Sequence, residues 1–168
     1  MSVEGVASEA GVGKTTIYRR YASKEELAVA AVGEHRDNWG PRPDTGSARA
    51  DMVEMLVQNK EAFERGPGFQ MICALLVEER RNPELLELFR ERIIRPRRDD
   101  ALMILQRGVR RGEIRADANL EVAIHAMVGA MFMRHILGAP ESRERIERTA
   151  DTIWGGLACA SHSQTSEE

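Results

Sequence analysis

Apolar residues in this chain recur at intervals of three and four and show almost no alternation. Ala48, Met52, Met55, Leu56 and Phe63 fall on one face of a 3.6-residue repeat, and Ile146, Ala150, Ile153 and Leu157 repeat the pattern near the C-terminus. That spacing lines side chains along one stripe of an α-helix, whereas a half-buried strand needs every second residue to be apolar. No stretch keeps such alternation with β-branched enrichment between turn residues. The expected fold class is therefore all-α. A chain of 168 residues can bury one full core or two small ones without disulfides or structural metal.

Turn and cap residues divide the chain. Ser2 can cap a short helix that ends at Gly11, where positive φ suits a C-terminal stop. A second short helix is expected from about Lys14 to Tyr21. Ser23 and Glu26 form an S-x-x-E capping box opening a longer helix to about Asn38. Gly40-Pro-Arg-Pro-Asp-Thr-Gly reads as a linker. Helices are expected at about 47–65 and 69–81, separated by Gly66-Pro67-Gly68, and a third begins with Asn82 as cap and Pro83 in its first turn. Pro96 predicts a kink or break near Arg95, and Gly112 closes the segment. The most apolar helix, about 119–137, stops at Gly138-Ala-Pro140, and a last helix spans about 142–158. The division expected is 1–40 (motif 6–25), 41–160, and a disordered tail at 161–168, which has nothing to bury.

Several classes are disfavoured. The near-apolar run Val122 to Met133 is interrupted by His125 and is shorter than the ~20 residues a bilayer requires, so no membrane span is expected. No basic region followed by an apolar stretch opens the chain, which makes the cytoplasm the default location. Cys73 and Cys159 lie far apart, with no CxxC or CxxH pairing to suggest zinc. His35, His125, His135 and His162 form no catalytic grouping with other residues, so the chain reads as no enzyme, with no cofactor and no metal implied. The net charge of −3 taken globally disfavours a nucleic-acid binder. Its distribution does not: Lys14, Arg19, Arg20 and Lys24 fall in one window without an acid, and two of the three lysines lie there.

Two short helices joined by Gly11-Val12-Gly13 have the size and tight turn of a helix-turn-helix, whose second helix enters the DNA major groove. Lys14, Thr15, Thr16, Tyr18 and Arg19 supply charged and neutral donors there. Val6, Ala7, Ala10, Val12 and Ile17 are expected to form the seam between the two helices.

The stretch Val6-Ala-Ser-Glu-Ala-Gly-Val-Gly-Lys-Thr-Thr-Ile-Tyr-Arg-Arg-Tyr-Ala-Ser-Lys-Glu-Glu-Leu27 resembles the operator-binding motif of the tetracycline-repressor-like (TetR) family of bacterial transcriptional regulators. The resemblance is carried by Ala10-Gly11-Val12 at the turn, Thr16-Ile17-Tyr18 and Tyr21 in the second helix, and Ser23-Lys24-Glu25 with Leu27 beyond it. Asn82-Pro-Glu-Leu through Arg107-Gly-Val-Arg-Arg-Gly-Glu-Ile and the final helix resemble, less specifically, the effector and dimer domain of one branch. The resemblance implies Thr16 and Tyr18 at operator phosphates, Lys14, Thr15 and Arg19 nearest base edges, and Lys24 as a phosphate anchor. Core packing is the competing role for Tyr18 and the preferred one for Tyr21.

Members of the family carry a further helix of about twenty residues before Ser2, completing a three-helix domain. Relative to that pattern the helix-turn-helix domain is incomplete, and Val3, Val6 and Ile17 are expected to lose apolar cover. A version extended upstream is expected to bind DNA more tightly. Gly11-Val-Gly-Lys-Thr-Thr also resembles the end of a P-loop, but Ser8 stands where glycine is required and no strand signal precedes it.

The 119–137 helix is apolar nearly all round, which predicts burial on two sides. With the 142–158 helix it resembles the family's dimer interface, a four-helix bundle with two helices from each chain; a central core helix of a monomer is the competing reading. The family also implies a small-molecule effector among the C-terminal helices. Phe63, Phe69, Met71, Met103, Met127 and Met131 are candidate apolar lining residues, although ordinary core packing competes for each. Arg107 and His125 are candidate polar contacts, with surface or satisfied-core placement competing. The arginine-rich segment Arg90 to Arg98 is expected to pair with Glu84, Glu87, Glu91, Asp99 and Asp100 on a solvated face. The function expected is a homodimeric regulator, a repressor released from operator DNA by a small apolar ligand. The alternative is a dimeric ligand-binding module with weak or no DNA binding.

Overall fold

A computed structural model describes residues 2–24, 26–27, 29–30, 40–65 and 68–158. Its helices are α1 (Val3–Glu9), α2 (Lys14–Arg20), α3 (Ala48–Arg65), α4 (Gly68–Glu78), α5 (Pro83–Phe89), α6 (Arg95–Arg110), α7 (Leu120–Ile136) and α8 (Arg143–Trp154), with a π-helical turn at Arg90–Ile94 between α5 and α6. Residues 24, 26–27 and 29–30 are also helical. Among the described residues the one extended pairing is an isolated antiparallel bridge between Ile114 and Ala158. The expected course of the third helix to Asn38, the Gly66-Pro67 break, His35, Cys159, His162 and the tail lie outside the described residues.

Side chains cap several helix starts, Ser2 as read from the sequence and Asn119 and Ser142 in addition. Ser2 Oγ accepts the Gly5 N–H at 3.1 Å, Asn119 Oδ1 accepts that of Val122 at 3.1 Å, and Ser142 Oγ accepts that of Arg145 at 3.3 Å. Each satisfies one of the donors orphaned at a helix start. Asn82 precedes α5 but makes no capping bond through its side chain.

Pro96 does not break the helix, yet the regular α-helix is interrupted immediately before it, near Arg95, where the sequence predicts a kink or break. The Arg95 N–H bonds the carbonyl of Arg90, five residues back, and α6 runs on from Arg95 to Arg110. The widened turn shifts the register immediately before the proline. Pro96 thereby stands in the first turn of α6, where a missing N–H costs least.

The described fold forms two compact units: Met1–Gly40 with Phe63–Pro96, and Pro41–Ala62 with Arg97–Glu168. In the first, Val3, Ala7 and Ile17 form a small seam with Val6, Tyr21 and Leu27 packed against it. A second cluster buries Val29 among Leu75, Leu85, Leu86, Phe89 and Ile93. This cluster draws residues from α4, α5 and the π turn into one core with the helical segment after Lys24. In the second unit, Met52, Met55 and Leu56 of α3, Ile104 and Leu105 of α6, Ile124 and Met127 of α7, and Ile146 and Ala150 of α8 share one core.

That core includes a helix contact closed around glycine. A Cβ on Gly108 would stand 2.7 Å from the Ala48 Cβ and 2.8 Å from Ile114 Cδ1. Both neighbours are buried and cannot retreat into solvent. Gly108→Ala is expected to destabilise the protein by about 1–3 kcal/mol, the usual cost of overpacking. A thermal melt of Gly108→Ala matching wild type would show that α3 and α6 separate without cost.

Candidate nucleic-acid interface

The turn between α1 and α2 is made by Gly11, at φ +64°, a conformation that glycine adopts without the strain a Cβ introduces. The Val12 N–H returns to the Ala7 carbonyl at 3.0 Å. Ile17 is the buried residue of α2 and points into the seam with Val3 and Ala7. Lys14, Thr15, Thr16, Tyr18 and Arg19 are all exposed. Tyr18 is 46% exposed, so core packing does not account for it. Tyr21, in contrast, packs against the seam, the placement preferred from sequence.

Two expectations about the seam are corrected. Ala10 and Val12 are exposed, because both lie in the turn, beyond the part of α1 that faces α2. Val3 and Ile17 are buried instead of losing their cover: each packs on the other, and Tyr21 and Leu27 close over the cluster.

Lys24 opens the next helical segment and is exposed. Ser23 Oγ accepts the Glu26 N–H at 3.0 Å, and the Glu26 carboxylate accepts the Ala22 N–H at 2.5 Å. The reciprocal capping read from the sequence thus forms, with the return bond reaching one residue further back than the N-cap. It fixes the start of the helix from which Lys24 projects.

The sequence window from Lys14 to Lys24 holds no acid, yet an acid reaches it. The Glu4 carboxylate on α1 accepts a hydrogen bond from Lys14 Nζ. The same ammonium lies 5.8 Å from the centre of the Tyr18 ring, within cation–π range. The hydrogen bond with Lys14 holds the Glu4 carboxyl below its ordinary pKa and raises that of Lys14. Glu4 is the residue that sequence reasoning missed. Its only signal was its place in the first turn of a helix that had to pack against α2.

In the second unit, α7 has two apolar faces. Ala123, Ile124, Met127 and Met131 are buried. On the opposite side Val122, Ala126, Gly129, Met133 and Ile136 are exposed, at spacings of four, three, four and three that keep them on one stripe. Nothing stands within 4 Å of the place a Gly129 Cβ would occupy. The outer face of α8 is charged: Glu144, Arg148 and Asp151 are exposed, while Ile146 and Ala150 are buried.

The effector candidates fall in both units. In the first, the Phe63 and Phe69 rings stack with centroids 4.7 Å apart, and Met71 packs against the Val29 cluster. In the second, Met127 and Met131 belong to the core, whereas Met103 and His125 are exposed. Arg107 donates to Asp51 Oδ2 at 3.0 Å and to the Pro43 carbonyl, and pairs with Asp44. Its guanidinium therefore serves the segment entering α3. The arginine-rich stretch pairs as expected on a solvated face: Arg95 reaches Glu87 and Glu91, and Arg90 reaches Glu79 and Glu87. Glu79 joins a set that had been expected to include Glu84.

A helix-turn-helix that buries one side of its second helix and presents cations, hydroxyls and a phenol on the other defines a DNA-binding protein. The profile of bacterial regulatory proteins of the tetR family matches residues 1–31, and that of the tetracyclin repressor-like C-terminal domain matches residues 42–153. An uncharacterized HTH-type transcriptional regulator of Mycobacterium tuberculosis is 31% identical over 154 residues, covering 91% of this chain and 75% of that protein. The DNA-binding transcriptional repressor TetR of Mycobacteroides abscessus is 31% identical over 157 residues, covering 90% and 80% respectively. The crystal structure of the TetR family transcription regulator SCO0332 superposes with a TM-score of 0.76 at 26% identity, over 94% of this chain and 87% of that one. The chain belongs to the TetR family. It is a DNA-binding transcriptional regulator and no enzyme, and the reading of it as a ligand-binding module without DNA binding is not favoured. No described helix is long and apolar enough to cross a membrane.

Proposed function

We propose that this protein is a homodimeric repressor that acts in the cytoplasm and leaves its operator when a small, mostly apolar ligand binds. The observation that carries the DNA reading is the sidedness of α2: Ile17 is buried while Lys14, Thr15, Thr16, Tyr18 and Arg19 are exposed. In this reading Lys14, Thr15 and Arg19 lie nearest base edges, and Thr16, Tyr18 and Lys24 hold phosphates. The first forty residues carry operator binding, and 41–160 carry pairing and ligand sensing.

Pairing uses α7 with α8. A helix whose outer stripe is apolar loses free energy in water and gains it against a second copy. A repressor with two recognition helices reads two half-sites one helical turn apart, so the operator is expected to be palindromic. For the effector pocket the reading keeps Phe63, Phe69 and Met71, which lie in one unit; Arg107 is left to its place beside Asp51. Repression itself is suggested by the M. abscessus relative, a DNA-binding transcriptional repressor.

Selection from a randomised duplex library followed by titration of the winning sequence tests the reading. Arg19→Ala is expected to weaken the selected duplex more than a random one and to relax preference at one position, costing about 1–3 kcal/mol. Lys24→Gln is expected to weaken both alike and to reduce the salt slope by about one unit. A library that yields no enriched sequence would remove operator recognition. A thermal-shift screen with apolar small molecules, repeated in the presence of the selected duplex, tests release by a ligand.

A further inference from the structure

We propose that Glu4 is a specificity-determining residue of the DNA-binding surface, holding the Lys14 ammonium away from phosphates so that sequence-independent binding is suppressed. This inference rests on the DNA-binding reading above. Glu4 lies on α1, outside the set of side chains that face DNA, and it bonds Lys14 across the turn. Both side chains are half or more exposed, at 60% and 50%, so the pair sits in water at the surface that meets the duplex.

Sequence-independent affinity is set mainly by how many phosphate charges the protein neutralises, because each releases a condensed counterion. A lysine already paired with a carboxylate gains little by exchanging one anion for another. Off its operator, the protein therefore counts Arg19, Arg20 and Lys24 at this surface, but not Lys14. Base edges place a different demand, since a donor must be aimed at one acceptor. Glu4 on one side and the Tyr18 ring on the other hold the ammonium in one place, where an unpaired lysine would sample many rotamers. The same contact thus lowers binding to arbitrary DNA and orders Lys14 for a particular base.

The test uses the full chain with a random 30-base-pair duplex and the selected operator duplex, each titrated across a salt series. Glu4→Gln is expected to tighten random-duplex binding by about two- to fivefold and to steepen the salt slope by about 0.9. The gain on the operator should be smaller, so discrimination narrows. In a Lys14→Gln background the effect of Glu4→Gln should vanish. Glu9→Gln, which removes the same charge from the same helix, should change neither slope nor discrimination. Circular dichroism and melting temperature of each variant should match wild type, as expected for exposed side chains. A Glu4→Gln protein with unchanged slope, an effect that persists without Lys14, or an equal effect from Glu9→Gln would overturn the proposal. Wild type that binds neither duplex at low salt would instead overturn the DNA-binding reading on which it rests.

Discussion

A chain carrying both Met133→Glu and Ile136→Glu is expected to sediment as a monomer at micromolar concentration and to lose at least a hundredfold in operator affinity, with its helix content intact. Both residues lie on the outer stripe of α7 and are exposed, Met133 at 53% and Ile136 at 60%. The substitutions therefore remove no core contact, and each copy's fold should survive. In a two-fold interface every substitution acts twice, and four carboxylates would be brought into an apolar seam at a high desolvation cost. Loss of DNA affinity follows from the geometry of recognition. Two tethered recognition helices bind with an effective concentration that one alone does not have, a gain on the order of 10² to 10⁴. Sedimentation velocity and operator titration check the two halves separately. A double variant that remains dimeric would place the interface elsewhere. One that becomes monomeric yet binds the operator undiminished would remove the need for pairing.

The second large effect is expected at Asp51, a fully buried carboxylate in the α3 first turn. Its Oδ1 accepts the Thr45 N–H and the Thr45 hydroxyl, each at 2.7 Å, and its Oδ2 accepts from Arg107 at 3.0 Å. Three donors for one buried anion make its burial tolerable. The same residues pin the segment that leads into α3. The Pro43 carbonyl accepts from Arg107, Asp44 pairs with Arg107 and Arg111, and Arg42 pairs with Asp100. Asp51→Ala removes the anion and leaves a mostly buried guanidinium with half its charge partners, together with a Thr45 N–H that has lost its acceptor, while the Thr45 hydroxyl keeps the Ser47 carbonyl. Because the Arg107 side chain keeps 19% exposure, the expected cost lies at the lower end for a broken buried pair, about 3 kcal/mol. For a chain of this size that lowers the melting temperature by roughly 10 °C. Replacing both partners, Asp51→Leu with Arg107→Met, should be less harmful than Asp51→Ala alone, since no unpaired charge is left inside. A melt of Asp51→Ala within a degree of wild type would show that the network contributes nothing.

Much of the helix-turn-helix was legible because its information is local. The Gly11 turn, the Ser23 cap and the cations of α2 lie within about twenty consecutive residues, and a tight turn between two short helices leaves few arrangements. The two-sided character of α7 was legible for a similar reason: a helix apolar all round has no solvent stripe, and it shows one face in its own core and one exposed. Glu4 was not legible. Its partner is ten positions away on another helix, and that distance has meaning only after the turn has closed. Nor was the course of the chain at Pro96, where a π turn was available to absorb the ring and no pattern of side chains announced it.

The sequence by itself determined that the chain is helical, where most helices begin and end, and which short segment forms the helix-turn-helix. Periodicity, caps and turn glycines act over a few residues, so their energetics are complete within the segment. Tertiary structure alone decided what depends on residues far apart meeting at van der Waals or hydrogen-bond distance. It brought Arg107 to Asp51 and to the chain entering α3, made Gly108 the point where Ala48 and Ile114 close in, and gathered Val29 with Leu85 and Phe89 into one core. It also placed a carboxylate on Lys14. Each of these is a contact between elements, and its strength depends on burial and geometry that no local pattern encodes.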